Sequence, residues 1–329
     1  MVRVGSLSTE TGCEVLAKCE FLNPGGTSKD RIAKNIVLEA ERDGLLKPGG
    51  TIVEGTSGST GISLAQVACA RGYKCVIVLP DDQALEKRAL LTGLGARVEL
   101  VRPAAIVNSE HYVNKARRLA AETAGAFFAN QFENLANYRA HLLNTGPEIW
   151  EQTQGQVDAF VMSAGTGGTI AGVGRFLQAQ NPAVRVVLAD PQGSSLHSFV
   201  EHGTLYTKEQ AERRVRRHRD DTITEGIGLD RLTANFCAAG RQCIGQAIRV
   251  SDQEVVKMSR RVLREDGLFV GSSSALNLVA ARKVALQLGP GHTVVTVLCG
   301  SGSREQTKLY NDAYLRERGL DVSFDGSIS

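Results

Sequence analysis

Lys29 follows a turn-forming stretch, Asn-Pro-Gly-Gly-Thr-Ser at residues 23–28, and precedes apolar residues at helical spacing: Ile32, Ile36, Val37 and Ala40. Pro24, Gly25 and Gly26 break regular structure, and Thr27 or Ser28 can cap the helix that this spacing predicts. A lysine at a helix start meets partial positive charge, which favours its neutral form. A neutral amine attacks carbonyls, so the setting suits a Schiff base to an aldehyde cofactor. Read alone, the motif fits an ordinary surface lysine equally well.

Three more glycine-rich turns come after strand-like runs. In an open parallel sheet such turns converge on one ligand crevice. The first, Glu54-Gly-Thr-Ser-Gly-Ser-Thr-Gly61, offers N–H groups and hydroxyls to an anion at a helix start. A carboxylate or phosphate fits; a Walker loop does not, because no Gly-Lys-Ser/Thr follows. The second, Ser163-Ala-Gly-Thr-Gly-Gly-Thr169, is a phosphate cradle by the same physics. It has a rival reading, because Asp190 ends the next strand about where a dinucleotide fold places its ribose-binding acid. The spacing, however, lacks the third glycine of Gly-x-Gly-x-x-Gly. The third turn, Gly271-Ser-Ser-Ser-Ala275, sets hydroxyls where they cap a helix or bond a ring nitrogen. A serine there, rather than an acid, leaves a pyridine nitrogen unprotonated and favours β-elimination over transamination. Gln131, after a strand-like run at 126–129, can bind a carboxylate through its amide.

These groups need a scaffold. Short β-branched runs at 51–54, 75–79, 97–101, 159–162, 184–189 and 293–298 read as strands. They alternate with helical patterns at 30–43, 61–71, 86–94, 112–123, 169–180, 252–265 and 275–288. Such alternation predicts parallel sheets covered on both faces. The N-terminus reads as a strand from the first residue, and 148–157 as a seam between two α/β units. A length of 329 residues has room for about two domains. The 35 glycines favour tight turns and close backbone–ligand approach.

A net charge of +3 is too small to imply nucleic acid, and no apolar run approaches membrane-spanning length. The first residues are neither a signal nor a transit peptide, which leads to the expectation of a cytoplasmic protein. The seven cysteines include no Cys-x-x-Cys and no His/Cys cluster, so reduced, mostly buried thiols are expected and a metal is not. A basic run at 208–220 reads as a solvated helix face, with anion binding as the alternative.

Taken in order, the motifs resemble the cysteine synthase/cystathionine β-synthase family of fold-type II pyridoxal-phosphate enzymes. The resemblance runs from residue 2 to about residue 310. The family's Asn-Pro-Gly-Gly-Ser-x-Lys-Asp-Arg is similar to residues 23–31, and its Thr-Ser-Gly-Asn-Thr-Gly to 56–61. Gly-Thr-Gly-Gly-Thr is matched at 165–169, Gln-Phe-x-Asn at 131–134 and Glu-Gly-Ile-Gly at 225–228. The resemblance implies two three-layer α/β domains with mostly parallel twisted sheets, like tryptophan synthase β. It implies a smaller domain at 31–148 with a mobile subdomain at about 75–120, a larger cofactor-binding domain of 1–30 plus 149–315, and a tail at 316–329. Pyridoxal 5'-phosphate would be held by Lys29, Ser59, Gly165, Thr166, Gly167, Gly168, Thr169 and Ser273. Lys29 would also move the substrate's α-proton. Thr56, Ser57, Gly58, Thr60, Gln131 and Gly226 would hold the substrate.

The chain departs from the family pattern in places. Ser59 stands where the family has the asparagine that contacts the cofactor's ring hydroxyl. Cys299-Gly-Ser-Gly-Ser-Arg304 replaces the commoner Pro-x-Ser/Asp, and Ala275 a frequent glycine. The Gly-Asn-Thr-Pro-Leu usually found before residue 2 is missing: either the chain is truncated there, with any organelle-targeting segment, or it lacks an N-terminal prop and a dimer contact.

The implied reaction is β-replacement, forming L-cysteine from O-acetylserine and sulfide through an α-aminoacrylate intermediate. Cystathionine β-synthase chemistry, from serine and homocysteine, is the alternative; Glu225-Gly-Ile-Gly and Asp190-Pro-Gln-Gly-Ser194 resemble it somewhat more, whereas the lean length favours cysteine synthase. A catalytically weak paralogue that acts by binding proteins is the reading from another class, motivated by Ser59. The expected partners are a small amino-acid substrate, sulfide or a thiol, and a second copy in a homodimer.

Overall fold

Two parallel sheets organise the chain, and each reverses its strand order once. The computed structural model describes residues 1–83, 85–206, 222–240 and 242–323; the basic run at 208–220 lies outside them. The larger sheet has the order β1-β2-β10-β7-β8-β9, built from Val2–Arg3, Glu14–Cys19, Thr293–Leu298, Ala159–Ser163, Arg185–Pro191 and Gln246–Val250. All its pairings are parallel except β1 with β2. The smaller sheet has the order β5-β4-β3-β6, from Arg97–Val101, Lys74–Pro80, Thr51–Gly55 and Ala126–Phe128, and is parallel throughout.

Each sheet is the middle of three layers. Parallel strands need crossover helices, which cover both faces and make the strands near-continuously apolar. Strand β10, Thr-Val-Val-Thr-Val-Leu, shows this: every residue after the first is buried. One apolar cluster joins the larger sheet to the helices Gly5–Thr11, Asp252–Glu265 and Ser272–Leu288. A second lies on the opposite face, with the helix Gly168–Gln180. The smaller sheet is covered by Lys29–Arg42 and Ser59–Arg71 on one face and by Tyr112–Glu122 on the other.

The strand orders position the site. In the larger sheet the chain leaves β7 toward β8 and β9, then returns to place β10 on the other side of β7. In the smaller sheet it runs β3, β4, β5, then returns to place β6 beside β3. At such a switch point the loops after neighbouring strands diverge and leave a crevice at the strands' carboxyl ends. The glycine-rich turns follow β3 and β7, Gln131 follows β6, and the Cys299–Arg304 stretch follows β10.

Two strands were not among those the sequence predicts. Glu14–Cys19 reads Glu-Val-Leu-Ala-Lys-Cys, mostly good helix formers, yet pairs with β10 along its whole length. Tertiary pairing overrides a weak local preference here. Gln246–Val250 is an edge strand with an exposed Arg249. The expected N-terminal strand is only Val2–Arg3, and the helix Gly5–Thr11 comes directly after it.

Candidate active site

A cleft of about 960 Å³, its solvent-filled mouth included, opens between the two sheets where these loops meet. Lys29 stands in it as the first residue of its helix. The N–H of Ser28 donates to the carbonyl oxygen of Cys299 at 2.9 Å, which pins the helix start to the end of β10. Ser28 occupies the capping position, but its hydroxyl makes no capping bond; the hydroxyl of Thr27 accepts the Lys29 N–H at 3.4 Å. Burial of the Lys29 ammonium holds its pKa below the usual lysine value, against the opposing pull of Cys299 and Glu20. That is the state a nucleophilic amine requires.

One wall is the turn after β3. Thr56 Oγ1 accepts the N–H of Gly58 at 3.1 Å, and Thr60 donates to Gln131 Oε1 at 2.6 Å. Gln131 Nε2 donates to the carbonyl of Gly55 at 3.3 Å, so the ends of β3 and β6 are stitched together. Thr56, Ser57, Ser59, Thr60 and Gln131 all line the cleft at the start of the helix Ser59–Arg71, where free N–H groups can bind an anion. Gly58 does not line it. Its φ of 136° lets the turn form, and a Cβ there would come within 2.5 Å of Lys87 Cδ.

The facing wall is the turn after β7. Gly165, Thr166, Gly167, Thr169 and Gly226 line the cleft, and Gly167, at φ 84°, caps the helix Gly168–Gln180. A Cβ on Gly165 would collide with the carbonyl oxygen of Gly226. Gly168 turns away from the cleft and packs against Asn137. Thr166 Oγ1 accepts a hydrogen bond from Asn137 Nδ2 at 2.8 Å, and Thr169 Oγ1 meets His141 Nε2 at 3.1 Å. Burial pushes the His141 pKa down to about 3, with Lys29 and Arg31 adding to the effect. The imidazole beside the cradle is therefore neutral, and the cradle acts on an anion through N–H groups, hydroxyls and the helix end.

Ser273 reaches the cleft from the first turn of the helix Ser272–Leu288 and hydrogen-bonds the Cys299 thiol. A charged cluster in the lining was not legible in the sequence. Burial favours protonation of Glu225, but Lys87 and Lys308, the latter at 2.6 Å, outweigh it and hold the carboxyl below its usual pKa. Glu305 accepts the Ser272 N–H at 2.9 Å, and its own pKa is raised by burial and by Glu225. Glu225 opens the Glu-Gly-Ile-Gly motif, the one local signal for this cluster. Lys87 carries none, since its partners lie far along the chain.

A family model described as pyridoxal-phosphate dependent enzyme matches residues 1–300. The chain belongs to that family. Among curated relatives of this pyridoxal-phosphate enzyme, Cysteine synthase 2 of Schizosaccharomyces pombe is 50% identical over 337 residues, covering all of this chain and 85% of that protein. A cystathionine beta-synthase of Apis mellifera is 38% identical over 309 residues, covering 94% of this chain and 58% of that protein. Among solved structures, O-ureido-L-serine synthase superposes with a TM-score of 0.80 at 32% identity, covering 95% of this chain and 90% of that one.

The cleft fits the cofactor pyridoxal 5'-phosphate. It brings a desolvated lysine together with a glycine-rich turn at a helix N-terminus, where backbone N–H groups and the hydroxyls of Thr166 and Thr169 are placed to hold a phosphate. A serine on a third element completes the set.

Proposed function

We propose that this enzyme forms L-cysteine from O-acetylserine and sulfide by β-replacement. The observation that carries the reading is the desolvated Lys29 amine between a carboxylate grip and a phosphate cradle. When bound, pyridoxal phosphate supplies an aldehyde for the amine and a ring that draws electrons from the substrate α-carbon. Thr56, Ser57, Thr60 and Gln131 bind and orient the substrate carboxylate. Gly165, Thr166, Gly167 and Thr169 hold the phosphate, with Gly226 packed against the turn. Lys29 Nζ removes the α-proton as the acetate leaves and returns it after sulfide has added. Ser273 would offer the ring nitrogen a hydroxyl rather than an acid, which suits elimination and addition at the β-carbon. Lys87 and Glu225, paired in the cleft lining, exclude water from the reacting carbon.

Curated cysteine synthases resemble the whole chain more than the cystathionine beta-synthase does, which supports sulfide over homocysteine as acceptor. The same proposal includes a homodimer in the cytoplasm. The test is product analysis with both substrate pairs. Cysteine and acetate from O-acetylserine and sulfide support it; cystathionine from serine and homocysteine, with no cysteine from the first pair, overturns it.

A further inference from the structure

Ser163, the last residue of β7, is buried at 2% exposure, lines the cleft, and its hydroxyl has no hydrogen-bond partner. A buried hydroxyl left unbonded is costly, so such a group in a folded protein calls for an explanation. Its backbone N–H is engaged: it donates to Asn277 Oδ1 at 2.8 Å, and Asn277 in turn donates to the carbonyl of Val297 at 2.9 Å. The hydroxyl is thus held in place with nothing from the protein to bond.

Its position says what it meets. Gly165 of the phosphate cradle is two residues further along the chain. Asn277, which fixes the Ser163 backbone, lies one helical turn beyond Ser273, the serine that would meet the ring nitrogen. Ser163 is therefore joined to both elements: by the chain to the turn that would hold the phosphate, and through Asn277 to the helix that carries Ser273. We propose that the Ser163 hydroxyl is a cofactor ligand that bonds a polar atom of the pyridine ring, a contact supplied from the strand end rather than from the glycine turn. The inference rests on the cofactor reading of the cleft and is independent of which β-substituent leaves.

The test is Ser163→Ala, compared in the cofactor-free and cofactor-loaded full-length protein. A side chain that only supports the fold loses stability in both forms. A ligand contact behaves differently: the cofactor-free variant, relieved of an unbonded hydroxyl, melts at the same temperature as the parent or higher. Pyridoxal phosphate binding, titrated by absorbance, weakens about five- to tenfold, the loss of one net hydrogen bond, and the visible maximum of the loaded protein shifts. Ser195→Ala is the control. Its hydroxyl is also buried and unbonded but lies outside the cleft, so cofactor affinity stays at the parent value. Unchanged affinity in Ser163→Ala, or a cofactor-free form that melts lower than the parent, overturns the proposal.

Discussion

Arg31 grips Glu148 through two parallel N–H···O bonds of 2.7 Å each, two residues past Lys29. The same guanidinium donates from Nε to Glu20 at 2.7 Å, and Lys18 of β2 pairs with Glu148 at 2.6 Å. The start of the lysine-bearing helix is therefore tied to β2 and to the helix Gly146–Gln152, and Lys29 inherits a fixed position. Bonds from Arg31, against a modest burial effect and with help from Lys18, hold the Glu148 pKa down at about 2.

A depressed carboxyl pKa gives stability that is present above the unfolded value of 4.5 and is lost as pH falls toward 2. Glu148→Gln should cost about 1–2 kcal/mol at neutral pH, a figure discounted because the side chain is 39% exposed. The difference from the parent should shrink as pH falls from 4.5 and vanish below about pH 2. Urea unfolding between those pH values measures both quantities.

Glu54 predicts the opposite slope. It is fully buried in β3, accepts the Gln131 N–H at 3.3 Å, and burial raises its pKa to about 8 against the N–H groups that favour the anion. A raised carboxyl pKa means the fold binds the proton more tightly than the unfolded chain does. Its stability contribution is full below 4.5 and declines as pH rises toward 8. Glu54→Gln keeps the acceptor and removes the titration. The variant should gain on the parent by an amount of order a few kcal/mol between pH 5 and pH 9, read from urea midpoints at each pH.

Gly165→Ala should cost cofactor affinity more than fold. The added methyl meets the carbonyl oxygen of Gly226, a backbone atom that cannot rotate away, so the cradle and the Gly226 turn must part. Overpacking of this kind costs about 1–3 kcal/mol. Equilibrium dialysis should show pyridoxal phosphate binding weakened at least about tenfold, while the cofactor-free variant still unfolds cooperatively.

Glycine turns, a lysine at a helix start and hydroxyls before helices are local patterns, and that is why the cleft's two walls were legible in the sequence. Which atoms of a turn face the ligand is not local. Gly58 and Gly168 sit within the right motifs, yet one serves the turn's φ and the other packs on Asn137. Lys87, Glu225 and Glu305 meet only because three distant segments fold together, so no spacing announces them. Strand β2 was hidden for a related reason: its residues prefer helix, and only its parallel partner β10 makes it a strand.

Lys29→Ala tests the lysine assignment on its own. The variant should fold, and added pyridoxal phosphate should give none of the parent's protein-bound visible absorption. A variant that stays yellow with the parent's spectrum would show that another amine holds the cofactor.

Cysteine formation at Lys29 is tested most directly by the visible absorption spectrum of the purified protein, recorded before and after O-acetylserine and again after sulfide. The expected result is a yellow protein whose band moves to longer wavelength with O-acetylserine and returns to its starting position with sulfide, as cysteine appears. A protein that binds pyridoxal phosphate yet shows no spectral change with O-acetylserine, while responding to serine with homocysteine, would contradict it.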